Sequence, residues 1–269
     1  MTDRSRTGPP VPVGPRHPDR PSPHTPVAGH GHSVPLGRVA RIPVRLHWSF
    51  FLLPLLVVVV DWRAGGRAVV EGLVWLVALF ASVVVHEIAH CLVARRRGAV
   101  VLGIVLFPLG GLSSVESIPD GPDNELVIAA AGPLTSLALG AVFVLFGLAT
   151  SGHVWPPTLF VGSWLARLGW LNLLLGAFNL LPALPMDGGR MLRAFLARHR
   201  TNLEATVVAA RVARVLGALM MAVGLFYDFW FLLIGLFVLL GANAEEQAAR
   251  HAPARAPGRP DTREPQSLG

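Results

Sequence analysis

The fold class this sequence predicts is an all-α polytopic membrane protein of about six transmembrane helices, with a short membrane-associated β-hairpin. Three observations predict it. Just over half of the 269 residues are hydrophobic (52%) and only 14% are charged, against roughly 25% charged in an ordinary soluble domain. The apolar residues gather into runs close to the length that crosses a ~30 Å hydrocarbon core. The basic residues are all arginine, with no lysine, and cluster beside those runs, as the positive-inside rule expects of cytoplasmic loops. We read the arginine bias as the coding habit of a GC-rich bacterial genome, and its placement beside apolar spans argues against nucleic-acid binding.

In chain order, residues 1–37 are rich in Pro, Gly, Ser and His with no apolar run, which predicts a disordered cytoplasmic tail without a signal-peptide core. His24, His30 and His32 in that tail amount to a weak metal-binding composition. Residues 38–243 hold six spans, at 46–60, 69–94, 124–150, 159–181, 203–226 and 229–242. The sixth would reach only about 21 Å at 1.5 Å per residue, so it needs thinned membrane or longer ends. One long helix with Asp228 midway competes with the last pair. Two helices are preferred, because Tyr227 and Asp228 make a polar turn and a lone mid-bilayer carboxylate is costly.

With the N-terminus inside, Arg38, Arg41, Arg45, Arg95, Arg96, Arg97, Arg190, Arg193, Arg198 and Arg200 all fall on the cytoplasmic side, and only Arg63 and Arg67 outside. An even span count returns a disordered C-terminal tail, residues 244–269, to the cytoplasm with Arg250, Arg255 and Arg259. Residues 99–118 are apolar and β-branched but broken by Pro108, Gly110 and Gly111, too interrupted to span. They predict a hairpin dipping beside the second span, whose edge can pair with an extended peptide; an inert interfacial loop is the plainer reading. His47 and Trp48 fit an interfacial anchor. His153 fits an outside loop, and Arg167, near the outer end of the fourth span, fits snorkelling.

The chemistry sits in two clusters. His86-Glu87-Ile88-Ala89-His90 lies in the second span. On a helix, His86 and His90 stand one turn apart on one face, where both imidazoles reach a single cation. Glu87 flanks that face and can reach a metal-bound water without displacing a ligand. A catalytic zinc takes three protein ligands and leaves a fourth position open. Asp187, in the run Asn179-Leu180-Leu181-Pro182-Ala183-Leu184-Pro185-Met186-Asp187-Gly188-Gly189-Arg190, can complete the set. Pro182 and Pro185 stop the fourth helix and Gly188-Gly189 permit a tight turn that points the carboxylate back into the bundle. Taken alone, Asp187 reads as an ordinary N-cap of the next helix. Counting from Arg95 at the headgroup level, His90 and His86 lie about 7 and 13 Å below the cytoplasmic interface. Hydrolysis there needs a polar channel from the cytoplasm. Cys91, the sole cysteine, excludes an internal disulfide and sits one residue off the ligand face, as a small packing residue.

These motifs, in this order and each on a membrane span, resemble the site-2 proteases, zinc metalloproteases of regulated intramembrane proteolysis. The likeness covers roughly residues 35–243 and includes Gly132-Pro133 in the third span. It implies a six-helix core with a three-helix catalytic unit, and one catalytic Zn2+ on His86, His90 and Asp187. It further implies Glu87 as general base and Asn179 as a substrate-binding residue near the oxyanion. A helix-capping or interhelical hydrogen bond is the plainer role for Asn179, and Asn172 reads as packing. The implied substrate is a single-span membrane protein such as an anti-sigma factor or another signalling precursor, met in the lipid bilayer of the cell membrane. Two departures stand out. Ser136 occupies the place where many relatives carry an asparagine after Gly-Pro. No PDZ insertion or cystathionine-β-synthase-type pair is evident, so a minimal form is expected. A zinc transporter and a catalytically dead membrane adaptor are the rival functions.

Overall fold

The computed structural model describes residues 33–108, 110–116, 121–151 and 163–251. Both far tails, with His24, His30 and His32, and the loop with His153 lie outside the described residues. In chain order the elements are β1 (Ser33–Val39), β2 (Ile42–His47), α1 (Leu52–Asp61), α2 (Gly66–Arg96), β3 (Val100–Phe107), β4 (Gly110–Glu116), α3 (Pro122–Ser151), α4 (Trp164–Asn179), α5 (Asp187–Ala197), α6 (Asn202–Phe226) and α7 (Phe229–His251). The molecule is mostly helical. Among the described residues four helices, α2, α3, α6 and α7, are long and apolar enough to cross a membrane by length and composition.

The expected hairpin is present as antiparallel β3 and β4. It belongs to a larger sheet, in the order β1-β2-β3-β4, in which β2 runs parallel to β3 and antiparallel to β1. The first strand corrects the expected tail boundary at residue 37, and the first helix begins at Leu52 rather than 46. Ile42 and Val44 alternate inward and are buried with Ile104 and Leu106 against Phe80, Val83 and Cys91 of α2. Ala40 and Arg41 turn the chain with positive φ, 49° and 63°. That conformation is uncommon outside glycine and leaves no sequence signal for a turn.

Lipid offers little hydrophobic drive between helices, so contacts depend on close approach at small residues. α3 and α4 pack antiparallel through Gly140 against Leu173 and Gly169, Gly147 against Ala166, and Gly176 against Pro133 and Leu137. α6 and α7 are separate helices, as preferred from Tyr227-Asp228, and fold back on each other through Gly217 against Gly235 and Gly224 against Leu232. α7 continues to His251, so the expected tail start at residue 244 falls inside a helix.

Arg167 does not snorkel. Its side chain is 8% exposed, its guanidinium lies 4.0 Å from the Trp75 ring centroid and 5.1 Å from that of Trp164, and Glu71 pairs with it at 3.3 Å. The two indoles also stack on each other, 4.5 Å apart. The group joins α2 to α4.

Candidate metal centre and active site

α2 presents His86 and His90 on one face, both 4% exposed. Their Nε2 atoms lie 3.1 Å apart, and each is 3.1 Å from Asp187 Oδ2. Among the described residues this is the one group of three His, Cys, Asp or Glu side chains arranged to hold a metal ion. Cys91 is buried and takes no part.

The Nδ1 atoms explain the arrangement. His90 Nδ1 donates to the carbonyl oxygen of Ile128 at 2.7 Å, and His86 Nδ1 meets Ser136 Oγ at 3.0 Å. A neutral imidazole whose Nδ1 carries the proton has only a lone pair on Nε2. With the proton of each ring on Nδ1, two such lone pairs and a carboxylate oxygen converge on one point, where they repel unless a cation lies between them. Donors about 2.0–2.1 Å from a tetrahedral zinc would stand about 3.3 Å apart, near the spacing observed.

The space for this is made by α3. A Cβ on Gly132 would strike His90 Nε2 and come 2.6 Å from His86 Nε2. Glycine there lets the third helix close over the imidazoles. Ile128, Gly132 and Ser136 form one i, i+4, i+8 stripe on α3, so a single helix face receives both rings. Pro133 in the same turn has no amide proton for the Ala129 carbonyl.

Asp187 is not the N-cap of α5. Met186 caps it, and Asp187 is the first helical residue, where the helix dipole favours a carboxylate. Nor do Gly188 and Gly189 make a turn. They lie within α5, and any Cβ would collide with the backbone of Leu180 and Leu181 or of Ala183 and Leu184. Close packing of α5 on the proline-rich loop sets the depth of Asp187. α5 is also tied to α3 by ion pairs of Arg193 with Glu125 and of Arg198 with Asp123, and to α7 by Arg193 with Glu245 at 3.9 Å.

A cavity of about 670 Å³ opens onto this cluster, lined by His86, Glu87, His90, Asn179 and Asp187 among others. Gly110 to Ser113 of β4 form one wall. Gly111 lies over the Glu87 side chain, where a Cβ would come 2.5 Å from Cγ and 2.9 Å from Cδ. Asn179 ends α4 and donates from Nδ2 to the Leu175 carbonyl at 2.9 Å. Its second amide proton and its Oδ1 remain for the cavity. Asn172 is fully buried and donates to Ser82 Oγ and the Leu168 carbonyl, a packing role as expected.

The sequence matches the model of peptidase family M50 over residues 74–163 and 157–223. It is 36% identical over 221 residues to a zinc metalloprotease of Methanocaldococcus jannaschii, covering 80% of this chain and 61% of that protein. The chain thus spans about three fifths of the length of the curated relatives it matches. The structure resembles the solved site-2 protease of Methanocaldococcus jannaschii, with TM-score 0.61 and 34% identity, over 80% of this chain and 95% of that one.

Proposed function

The chain belongs to peptidase family M50, the site-2 protease family, and from that premise we propose that it is an intramembrane zinc metalloprotease. It hydrolyses peptide bonds within or near the transmembrane segment of membrane-protein substrates. The observation that carries this reading is the convergence of His86 Nε2, His90 Nε2 and Asp187 Oδ2 beside a cavity that also holds a carboxylate, Glu87.

His86, His90 and Asp187 hold one zinc ion. The bound ion supplies Lewis acidity, toward water and toward the peptide carbonyl. Glu87 accepts the proton that water loses as its oxygen bonds to the carbonyl carbon, and gives a proton to the amide nitrogen as the C–N bond breaks. Asn179, held by its bond to Leu175, offers its free N–H to the substrate. A helical substrate must unwind to expose its carbonyls, and the freed amides need partners. β4 pairs with β3 along one edge and lines the cavity, so its other edge can receive the unwound segment as an added strand.

We count six spans, with both termini cytoplasmic. β2 and β3 are hydrogen-bonded neighbours, which supports α1 and α2 together returning the chain to the side from which it left. The start of α3 pairs with α5 through Glu125–Arg193 and Asp123–Arg198, which supports the same return by α3 and α4. α1 and its flanking 3-10 turns run from 48 to 64, about 29 Å, and the 16 residues of α4 reach about 24 Å. The arginine pattern supports a cytoplasmic position for the sheet and α5. The substrate is a single-span protein of the cell membrane, such as an anti-sigma factor or another signalling precursor.

The test compares membrane proteomes of cells carrying the wild-type protein and Glu87→Gln. Short single-span stubs should accumulate in the mutant only, and their sequences name the substrate. Equal processing in the two strains under several stresses would overturn the reading and leave zinc flux or an adaptor role.

A further inference from the structure

We propose that Ser136 is a positioning residue that holds His86 in the tautomer able to ligate zinc. The inference rests on the metal-site reading above. It concerns a position where this chain departs from the asparagine of many relatives.

The two imidazoles are held by different means. His90 Nδ1 meets a main-chain carbonyl, that of Ile128. A carbonyl can only accept, so the proton lies on Nδ1 and the lone pair on Nε2, whatever the side chain at 128. His86 Nδ1 meets a hydroxyl. A hydroxyl both donates and accepts, so it holds the productive tautomer only while its own proton is directed elsewhere. With a cation on Nε2 the ring proton is confined to Nδ1, and the serine oxygen is its acceptor while the hydroxyl proton turns away from the ring.

Burial makes the bond count. Ser136 is 1% and His86 4% exposed, so water does not replace a lost partner. With alanine at 136, His86 Nδ1 would have no acceptor. The ring could then shift its proton to Nε2 and lose the ligand lone pair, or rotate away from Asp187. Partners that orient metal-bound histidines are commonly worth 10–100-fold in metal affinity. The position is also matched in size. Gly132, one turn earlier, brings α3 against the imidazoles, so a short side chain suffices to reach Nδ1.

The experiment measures zinc affinity of the full-length protein in detergent, by competition with a chromophoric chelator, for wild type, Ser136→Ala and Ser136→Thr. The thermal midpoint of each zinc-free protein is recorded in parallel. Ser136→Ala should bind zinc roughly 10–100-fold more weakly than wild type, with an unchanged zinc-free midpoint. Ser136→Thr, which keeps the hydroxyl, should recover most of the affinity. Equal affinity in wild type and Ser136→Ala would overturn the role of Ser136 and leave the metal site standing. A wild type that binds no zinc would overturn the metal site itself. A fall in the zinc-free midpoint that parallels the affinity loss, without rescue by threonine, would reduce Ser136 to a packing residue.

Discussion

At position 132 a hydrogen atom is the largest side chain the site admits. Alanine there would place a methyl against both ligand Nε2 atoms, and the closest obstacles are rigid rings already fixed at their other nitrogens. Either α3 retreats from α2 or the imidazoles turn. Gly132→Ala should therefore weaken zinc binding at least about tenfold, read as zinc retained after dialysis against a chelator, with the helical circular dichroism unchanged. Full retention of zinc would mean that α3 does not press on the ligand face. The proposed ligand pair is legible in the sequence, because His86 and His90 are one helical turn apart and turn geometry is local. Asp187 was legible only as the carboxylate that a third ligand requires. The roles of Gly132 and Ser136 are not, since they arise from the approach of two helices some 50 residues apart. The same holds for Gly188 and Gly189, whose chain flexibility was visible but whose packing against the Leu180–Leu184 backbone was not.

The strand β4 does two things at once, walling the cavity and resting on Glu87, the proposed base. Gly111 contacts the Glu87 side chain closely enough that any Cβ must push it, and Glu87 is attached to a helix that the sheet and α3 both hold. Gly111→Ala should then lower kcat roughly 10–100-fold, because about an ångström of misplacement at a reacting group has that effect. Zinc content should not change, since the three ligands lie elsewhere on the cavity wall; parallel losses of zinc and rate would place Gly111 with the ligands instead. The hairpin was readable from its β-branched run and its breaks at Pro108, Gly110 and Gly111. Its partners β1 and β2 were not, because Pro35, Gly37 and Pro43 interrupt their alternation and the turn at Ala40-Arg41 uses residues with no turn preference. The burial of Arg167 is hidden from the sequence for a related reason. Nothing near it in sequence foretells a stacked indole from Trp75, so a buried pair looked like an arginine reaching for water.

For the whole molecule, the proposed six-span topology turns on the two helices shorter than a standard span, α1 and α4. If α4 did not cross, α5 would begin on the far side of the membrane from the start of α3, and the pairs Glu125–Arg193 and Asp123–Arg198 could not form. If α1 did not cross, β2 and β3 could not lie side by side. The consequence is testable with thiol labelling, because the single natural cysteine, Cys91, is fully buried and gives a silent background. Arg38→Cys and Arg96→Cys, at exposed positions in β1 and at the end of α2, should react with a membrane-impermeant maleimide only after the cells are permeabilised. Tyr227→Cys, 85% exposed between α6 and α7, should react in intact cells. Labelling of 227 from the same side as 96 would remove α4 from the count, and labelling of 38 from the opposite side would remove α1. The expected pattern puts the sheet, Asp187 and the mouth lined by Arg190 and Arg193 on the cytoplasmic face, where water can reach Glu87 without crossing lipid.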